Sequence, residues 1–204
     1  MWALIEDGSI TKHLSGNRGI TIGDIQYSRN IFSFRWSNAE REAIGIYEVV
    51  FNNTNKKDEA YYINTNQSFT FADGVVTASF GSATAKAHAD ANATDEDGND
   101  LDPVVVIPGL KTKKIRTVKA QAAGILQDTD WYIVRKADAD TDVPSAITTF
   151  RAAVRTKGAA METLITTASN TPALETLYTY VNTADEGDPV VMERPLGEWP
   201  ELEV

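Results

Sequence analysis

The sequence predicts an α+β protein: a small antiparallel β-rich N-terminal domain, an acidic linker, a helical C-terminal part and an extended tail. Three observations carry that expectation. Two Asp-Gly pairs lie between strand-like runs before residue 85. Apolar residues recur at helical spacing after residue 107. Between these regions runs a stretch of Ala, Asp, Asn, Gly and Glu without apolar periodicity, closed by Pro103. The chain has 204 residues, 42% of them hydrophobic and 24% charged, which is enough to bury a core.

The elements follow in order. Ala3-Leu4-Ile5-Glu6 and Ser9-Ile10-Thr11 flank Asp7-Gly8, and Ser68–Phe71 and Val75–Phe80 flank Asp73-Gly74. Asp-Gly suits a type I′ turn, whose two central residues need positive φ, so both read as hairpins. Phe69 and Phe71 share one strand face by the period of two. Ile46–Phe51 and Tyr61–Ile63 read as further strands around a polar loop. Ser37-Asn38-Ala39-Glu40 has the spacing of a capping box, with Trp36 before it and Gly45 as the helix stop. Residues 1–85 form the expected β-rich domain and 86–106 the linker.

In the expected helical part, 107–182, Ile115, Val118, Ala122 and Ile125 form one stripe, which Asp128 and Asp130 end. Ile147, Phe150 and Val154 form a second after Val143-Pro144-Ser145, and Met161, Leu164 and Ile165 a third. Thr171-Pro172 reads as an N-cap followed by a first-turn proline, leading to Leu174, Leu177, Tyr178 and Val181. The tail, 183–204, holds three prolines in the twelve residues from Pro189 and five carboxylates from Asp188 to Glu203, which excludes a helix.

Charge and composition exclude several function classes. Nineteen Lys and Arg stand against 29 Asp and Glu, a net charge of −10, which argues against general nucleic-acid binding. The absence of cysteine removes disulfides, thiolate metal sites and Cys nucleophiles. The apolar run Val104–Ile107 is far shorter than the ~20 residues of a membrane span. Met1–Ile5 lacks a basic region and meets Glu6-Asp7 at once, so no signal peptide is expected. The expected location is a cytoplasm, or a particle assembled there.

The residues that could carry chemistry are few. His13 and His88 belong to no metal-ligand array and read as surface or hydrogen-bonded histidines. Phosphate loops, dinucleotide fingerprints and nucleophile elbows are missing from the sequence. Asp95–Asp102 looks like a calcium loop, but with Gly98 in sixth place Ala93 and Val104 fall at ligand positions. Asp138, Asp140 and Asp142 could hold a hard cation, although helix entry before Pro144 is the simpler account. The five cations of Lys111–Lys119 read either as a phosphate-binding helix or as a solvated face, and the overall charge favours the second. Neither a catalytic residue, a metal nor a cofactor is expected. Trp199 stands apart: it sits in a Pro-rich tail, where it either packs back on its own domain or anchors a partner.

Two stretches carry a resemblance. Gln127–Arg135, with Asp130-Trp131, leads into Val143-Pro144 and then Thr149-Phe150-Arg151-Ala152-Ala153-Val154-Arg155; Trp199-Pro200 comes late. That order resembles the C-terminal segment of phage tail fibre assembly proteins, where an Asp-Trp turn, a proline and an aromatic-Arg helix follow one another. Met1–Gly8 and Ile44–Val49 look like related phage proteins. The resemblance covers about half the chain in short pieces and departs from the pattern after Arg155. It implies a non-enzymatic protein that binds the fibre polypeptide and aids its folding or trimerisation, in the host cytoplasm or retained on the virion tail. The alternative is a permanent tail or fibre adaptor. Trp131, Phe150, Arg151 and Trp199 are the expected partner-binding residues, although for Trp131 and Phe150 a place in the core is the favoured reading, since buried aromatics dominate the energetics of a small domain. A fibre or other tail protein is the expected partner, with no nucleic acid and no membrane. A carbohydrate-binding or hydrolytic role has Asp clusters and aromatics to draw on, but no paired carboxylates.

Overall fold

A computed structural model describes residues 1–202. The chain divides into two units, Met1–Thr84 and Ala85–Val204. The first is built of strands and the second mainly of helices, an α+β protein.

The first unit runs β1 (Trp2–Glu6), β2 (Ser9–Leu14), β3 (Ile20–Ile22), β4 (Ile25–Tyr27), a 3₁₀ turn (Arg29–Phe32), α1 (Asn38–Glu42), β5 (Ile46–Asn52), β6 (Tyr62–Ile63), β7 (Ser68–Ala72) and β8 (Val75–Ser79); β9 (Thr84–Ala85) stands at the division. Both Asp-Gly pairs turn as type I′ hairpins require: φ is 50° and 74° at Asp7 and Gly8, and 51° and 75° at Asp73 and Gly74. The main sheet has the order β2-β1-β5-β8-β7. One expectation needs correction, since the sheet is not wholly antiparallel: β5 and β8 pair in parallel, Val49 opposite Val76. The hairpin lays its second strand, not its first, against β5. The Asn53–Gln67 connection therefore need only pass from the end of β5 to the edge strand β7.

Alternation along β1 explains the core. Ala3 and Leu4 are both buried, on opposite faces. Ala3 joins Val49, Val76 and Ala78, against which Ile10, Tyr47, Phe69 and Phe71 pack. The sheet curls over this small-residue centre until His13 on β2 meets Phe69 on β7, with ring centroids 4.2 Å apart. Leu4 joins Ile20, Ile31 and Ile46 on the other face, covered by Trp2, Tyr27, Phe32 and Trp36. The capping box of α1 is formed: the Ser37 amide donates to Glu40 Oε2 at 2.7 Å, and the Glu40 amide to Ser37 Oγ at 3.2 Å. Gly45 ends the turn at φ 80°, where a Cβ would stand 2.6 Å from the Ile5 carbonyl oxygen.

The second unit runs β10 (Ala91–Asn92), β11 (Val106–Ile107), α2 (Leu110–Gln127), α3 (Asp130–Ala139), α4 (Ser145–Thr167), α5 (Thr171–Tyr178), β12 (Val181–Asn182) and β13 (Met192–Glu193). The segment expected as a linker, 86–106, is tied into this unit. β10 pairs with β11. Leu110 and Lys111 amides donate to Ala87 and His88 carbonyls, and Thr171 Oγ1 to the Lys86 carbonyl at 2.9 Å. The second and third helical stripes are one 23-residue helix, α4, which buries Ile147, Arg151, Val154, Gly158, Met161 and Ile165. That alternating four- and three-residue spacing is the seam of a helix packed nearly along its neighbour. α5 starts one residue earlier than the sequence suggests: Asn170 caps it, accepting from the Ala173 amide at 2.9 Å, and Thr171 lies inside. No helix among the described residues is long and apolar enough to cross a membrane.

Candidate functional site

The four expected partner-binding residues have different environments. Arg151 is 7% exposed. Its Nη1 donates to the Leu126 carbonyl at 2.9 Å and to Thr129 Oγ1 at 2.6 Å, and its Nη2 lies 2.8 Å from Asp130 Oδ1. A planar guanidinium can hold a carbonyl, a hydroxyl and a carboxylate at once, so Arg151 fastens α4 to the turn between α2 and α3. The expected partner-binding residue Arg151 thus spends these donors on its own unit.

Trp199 also turns inward. Its Nε1 donates to Gln121 Oε1 at 3.3 Å. Its ring lies over Gly158, where a Cβ would come within 3.4 Å. The tail behind it is held by Leu196, 2% exposed, whose amide donates to the Leu177 carbonyl at 2.9 Å. Tyr180 OH donates to Glu198 Oε1 at 2.6 Å and Arg194 reaches the same carboxylate. The hydrogen bond from Tyr180 and the charge of Arg194 hold the Glu198 carboxyl below its ordinary pKa. The hydrogen bond to Glu198 raises the Tyr180 phenol. Phe150 is half-buried and lines an open groove of about 390 Å³ with Ala153, Pro200, Glu201 and Leu202.

Trp131 is the residue of the four that remains at the surface, 50% exposed. The sequence reading placed it on a turn; it stands in the first turn of α3, a ten-residue helix without a buried residue. Ile133 and Val134 are 44% and 65% exposed. Trp131 and Tyr132 stack with centroids 3.8 Å apart, and the Arg135 guanidinium lies 4.8 Å and 5.6 Å from the two rings. Trp, Tyr and Arg are the types most enriched where protein partners dock, and here they form one preassembled cluster. Tyr132, Ile133, Val134 and Arg135 were missed in the sequence; the carboxylate of Asp130 at a helix start and the unbroken run to Ala139 were the available signals. Separately, Val104 to Ile107, leading into and forming β11, are each about half exposed.

The remaining charged motifs are spent internally. Asp140 and Asp142 pair with Lys136 at 2.7 Å and 2.8 Å, closing the end of α3 rather than starting α4. Both hydrogen bonds raise the pKa of Lys136. Asp95 Oδ1 accepts from the amides of Asp97 and Asn99, which makes the acidic loop a hairpin turn and lowers the Asp95 pKa. Lys111 donates to the Thr166 carbonyl, Lys114 covers the Tyr178 ring and Lys119 pairs with Glu162. His88 Nε2 lies 2.8 Å from the Ala168 carbonyl oxygen, as its donor. Among the described residues, no group of three or more His, Asp or Glu is placed to hold a metal ion.

Compared with protein-family models, curated proteins and solved structures, the chain matches none.

Proposed function

We propose that this chain is a non-enzymatic assembly protein of phage tail fibres, which binds the fibre polypeptide through α3 and aids its folding or trimerisation. The observation that carries the reading is α3 itself: a helix with no fully buried residue that displays Trp131, Ile133 and Val134 beside a half-buried Tyr132–Arg135 stack. Exposed apolar surface of this kind costs hydration free energy unless something covers it. The order of Asp130-Trp131, Pro144, Phe150-Arg151 and Trp199-Pro200 supports the choice of partner by its resemblance to fibre assembly proteins. Arg151 and Trp199 enter the proposal as residues that brace the helices behind α3, not as contacts. The site of action is the host cytoplasm during assembly, with retention on the tail as the second possible end point.

Co-expression of the fibre polypeptide with and without this chain tests the reading. Trimer yield should rise with the wild-type chain and fall back with Trp131→Ala, while the variant keeps the wild-type thermal midpoint. Equal trimer yield with and without the chain overturns the proposal.

A further inference from the structure

The β10–β11 hairpin forms a two-stranded sheet that pairs with no third strand among the described residues. It is held together by its own ladder. The Ala93 amide donates to the Val105 carbonyl at 2.7 Å and the Leu101 amide to the Ala93 carbonyl at 3.1 Å. Val104, Val105, Val106 and Ile107 are 58%, 49%, 55% and 55% exposed. Successive side chains of a strand point to opposite faces, so even exposure along this run leaves both faces open. The residues across the hairpin are too small to cover it: Asn92 stands opposite Val106 and Ala91 opposite Ile107. A two-stranded ribbon is marginal alone, and an open apolar strand edge is a template for pairing with another chain.

Charge selects which chain. The hairpin holds Asp95, Glu96, Asp97, Asp100 and Asp102, and neither Lys nor Arg. All five carboxylates are exposed, and none forms an ion pair among the described residues. The sign does not depend on where the hairpin is cut. The nearest cations along the chain are Lys86 and Lys111, and the stretch between them adds one more carboxylate, Asp90. The whole unit holds 12 basic and 20 acidic residues, a net of −8. A second copy of this hairpin would bring like charges together, whereas a cationic strand is attracted and steered to it.

We propose that the open edge of the Val104–Ile107 segment takes up an extended segment of a partner protein, rich in β-branched residues and ending in Lys or Arg. Antiparallel addition is the more stable pairing. It runs the segment from the base of the hairpin to its turn, so the cations follow the apolar part and meet the carboxylates. Main-chain hydrogen bonds supply affinity and the charges supply selectivity. The proposal is independent of the fibre-binding reading, which uses α3.

Isothermal titration of the full chain with synthetic peptides tests it. The probe is Val-Thr-Val-Thr-Val followed by Lys-Lys-Lys. It should bind, and more weakly as salt rises. Glutamates in place of its lysines should weaken binding roughly tenfold or more. Glu96→Lys combined with Asp97→Lys should do the same from the protein's side; both side chains are exposed at the turn, so the thermal midpoint should match the wild type. Of two probes N-methylated at alternate amides, odd or even, one should lose binding and the other keep it, since only one edge of a strand faces the ladder. Hydrogen exchange should slow over Val104–Ile107 in the complex, and Trp131→Ala should bind the probe as the wild type does. Failure of the lysine probe to bind at millimolar concentration overturns the proposal, as does equal binding of the glutamate probe. Equal behaviour of the two N-methylated probes, or unchanged exchange at Val104–Ile107, overturns strand addition. Loss of binding in Trp131→Ala would place the probe on α3 and overturn the assignment to the hairpin.

Discussion

Asp90 caps a helix that starts twenty residues further along the chain: its Oδ1 accepts from the Gly109 amide at 2.8 Å and its Oδ2 from Thr112 Oγ1 at 3.0 Å. Gly109 has no side chain to cap α2, so a carboxylate from β10's approach does it. These hydrogen bonds, the amide's first, hold the Asp90 carboxyl below its ordinary pKa. A folded-state pKa below the unfolded one contributes stability above the ordinary Asp value, about pH 4, and loses it as pH falls through the folded value. Asp90→Asn should therefore be less stable than the wild type in urea at neutral pH, with the gap closing in acid. A gap that does not change with pH would remove the charge from this account. The neighbouring lesson concerns Arg151. The sequence stripe was drawn through Ile147, Phe150 and Val154, whereas the structure buries Arg151, four residues after Ile147 and three before Val154. Its acceptors were not legible, because a backbone carbonyl and a hydroxyl twenty-odd residues away leave no mark in local spacing.

Gly158 sits in the middle of the longest helix, where glycine costs about 1 kcal/mol against alanine. Its packing explains only part of that cost. A Cβ there would meet the Trp199 ring at 3.4 Å and the Ala122 Cβ at 3.8 Å, ordinary contact distances. Gly158→Ala should thus be tolerated and add about 0.5–1 kcal/mol. Gly158→Leu should lift Trp199 from α4 and cost about 1–3 kcal/mol by overpacking. Urea unfolding gives both numbers, and Trp199 fluorescence reports the displacement. A destabilised Gly158→Ala would mean that the α2–α4 contact is closer than these distances. Elements with a local signature were readable from sequence: both Asp-Gly hairpins, the capping box at Ser37, and the stripes that merge into α4. Elements set by distant partners were not. Which strand of the second hairpin meets β5 depends on the path of a connection, not on its residues. α3 has no aliphatic stripe to betray it, since the side it half-buries is Tyr132, Arg135 and Lys136. For the same reason it supplies the candidate docking surface, while the residues with stripe positions or tail prolines, Arg151 and Trp199, serve the scaffold.

At the scale of the molecule, burial falls into separate cores. The two faces of the sheet centre on Ala3, Val49, Val76 and Ala78 and on Leu4, Ile20, Ile31 and Ile46. The helical unit buries its own set, with Val154, Met161, Ile165 and Leu174 almost inaccessible. The charge is divided as unevenly as the fold, with most of the acidic excess in residues 85–204. A core is the smallest part of a chain that can hold itself folded, so each should open on its own terms. Leu4→Ala removes a side chain that is 1% exposed and should cost about 2–5 kcal/mol. Arg151→Met takes a donor from the Thr129 hydroxyl, at about 1–2 kcal/mol; the Leu126 carbonyl keeps the amide and hydroxyl of Thr129 as donors, and Asp130 is half in water and adds little. Hydrogen exchange read peptide by peptide separates the two. Leu4→Ala should speed exchange across β1, β5 and β8, and Arg151→Met across α2, α3 and α4. If either substitution loosens both sets of peptides alike, the cores unfold as one cooperative body and the division of the chain at Thr84 has no energetic meaning.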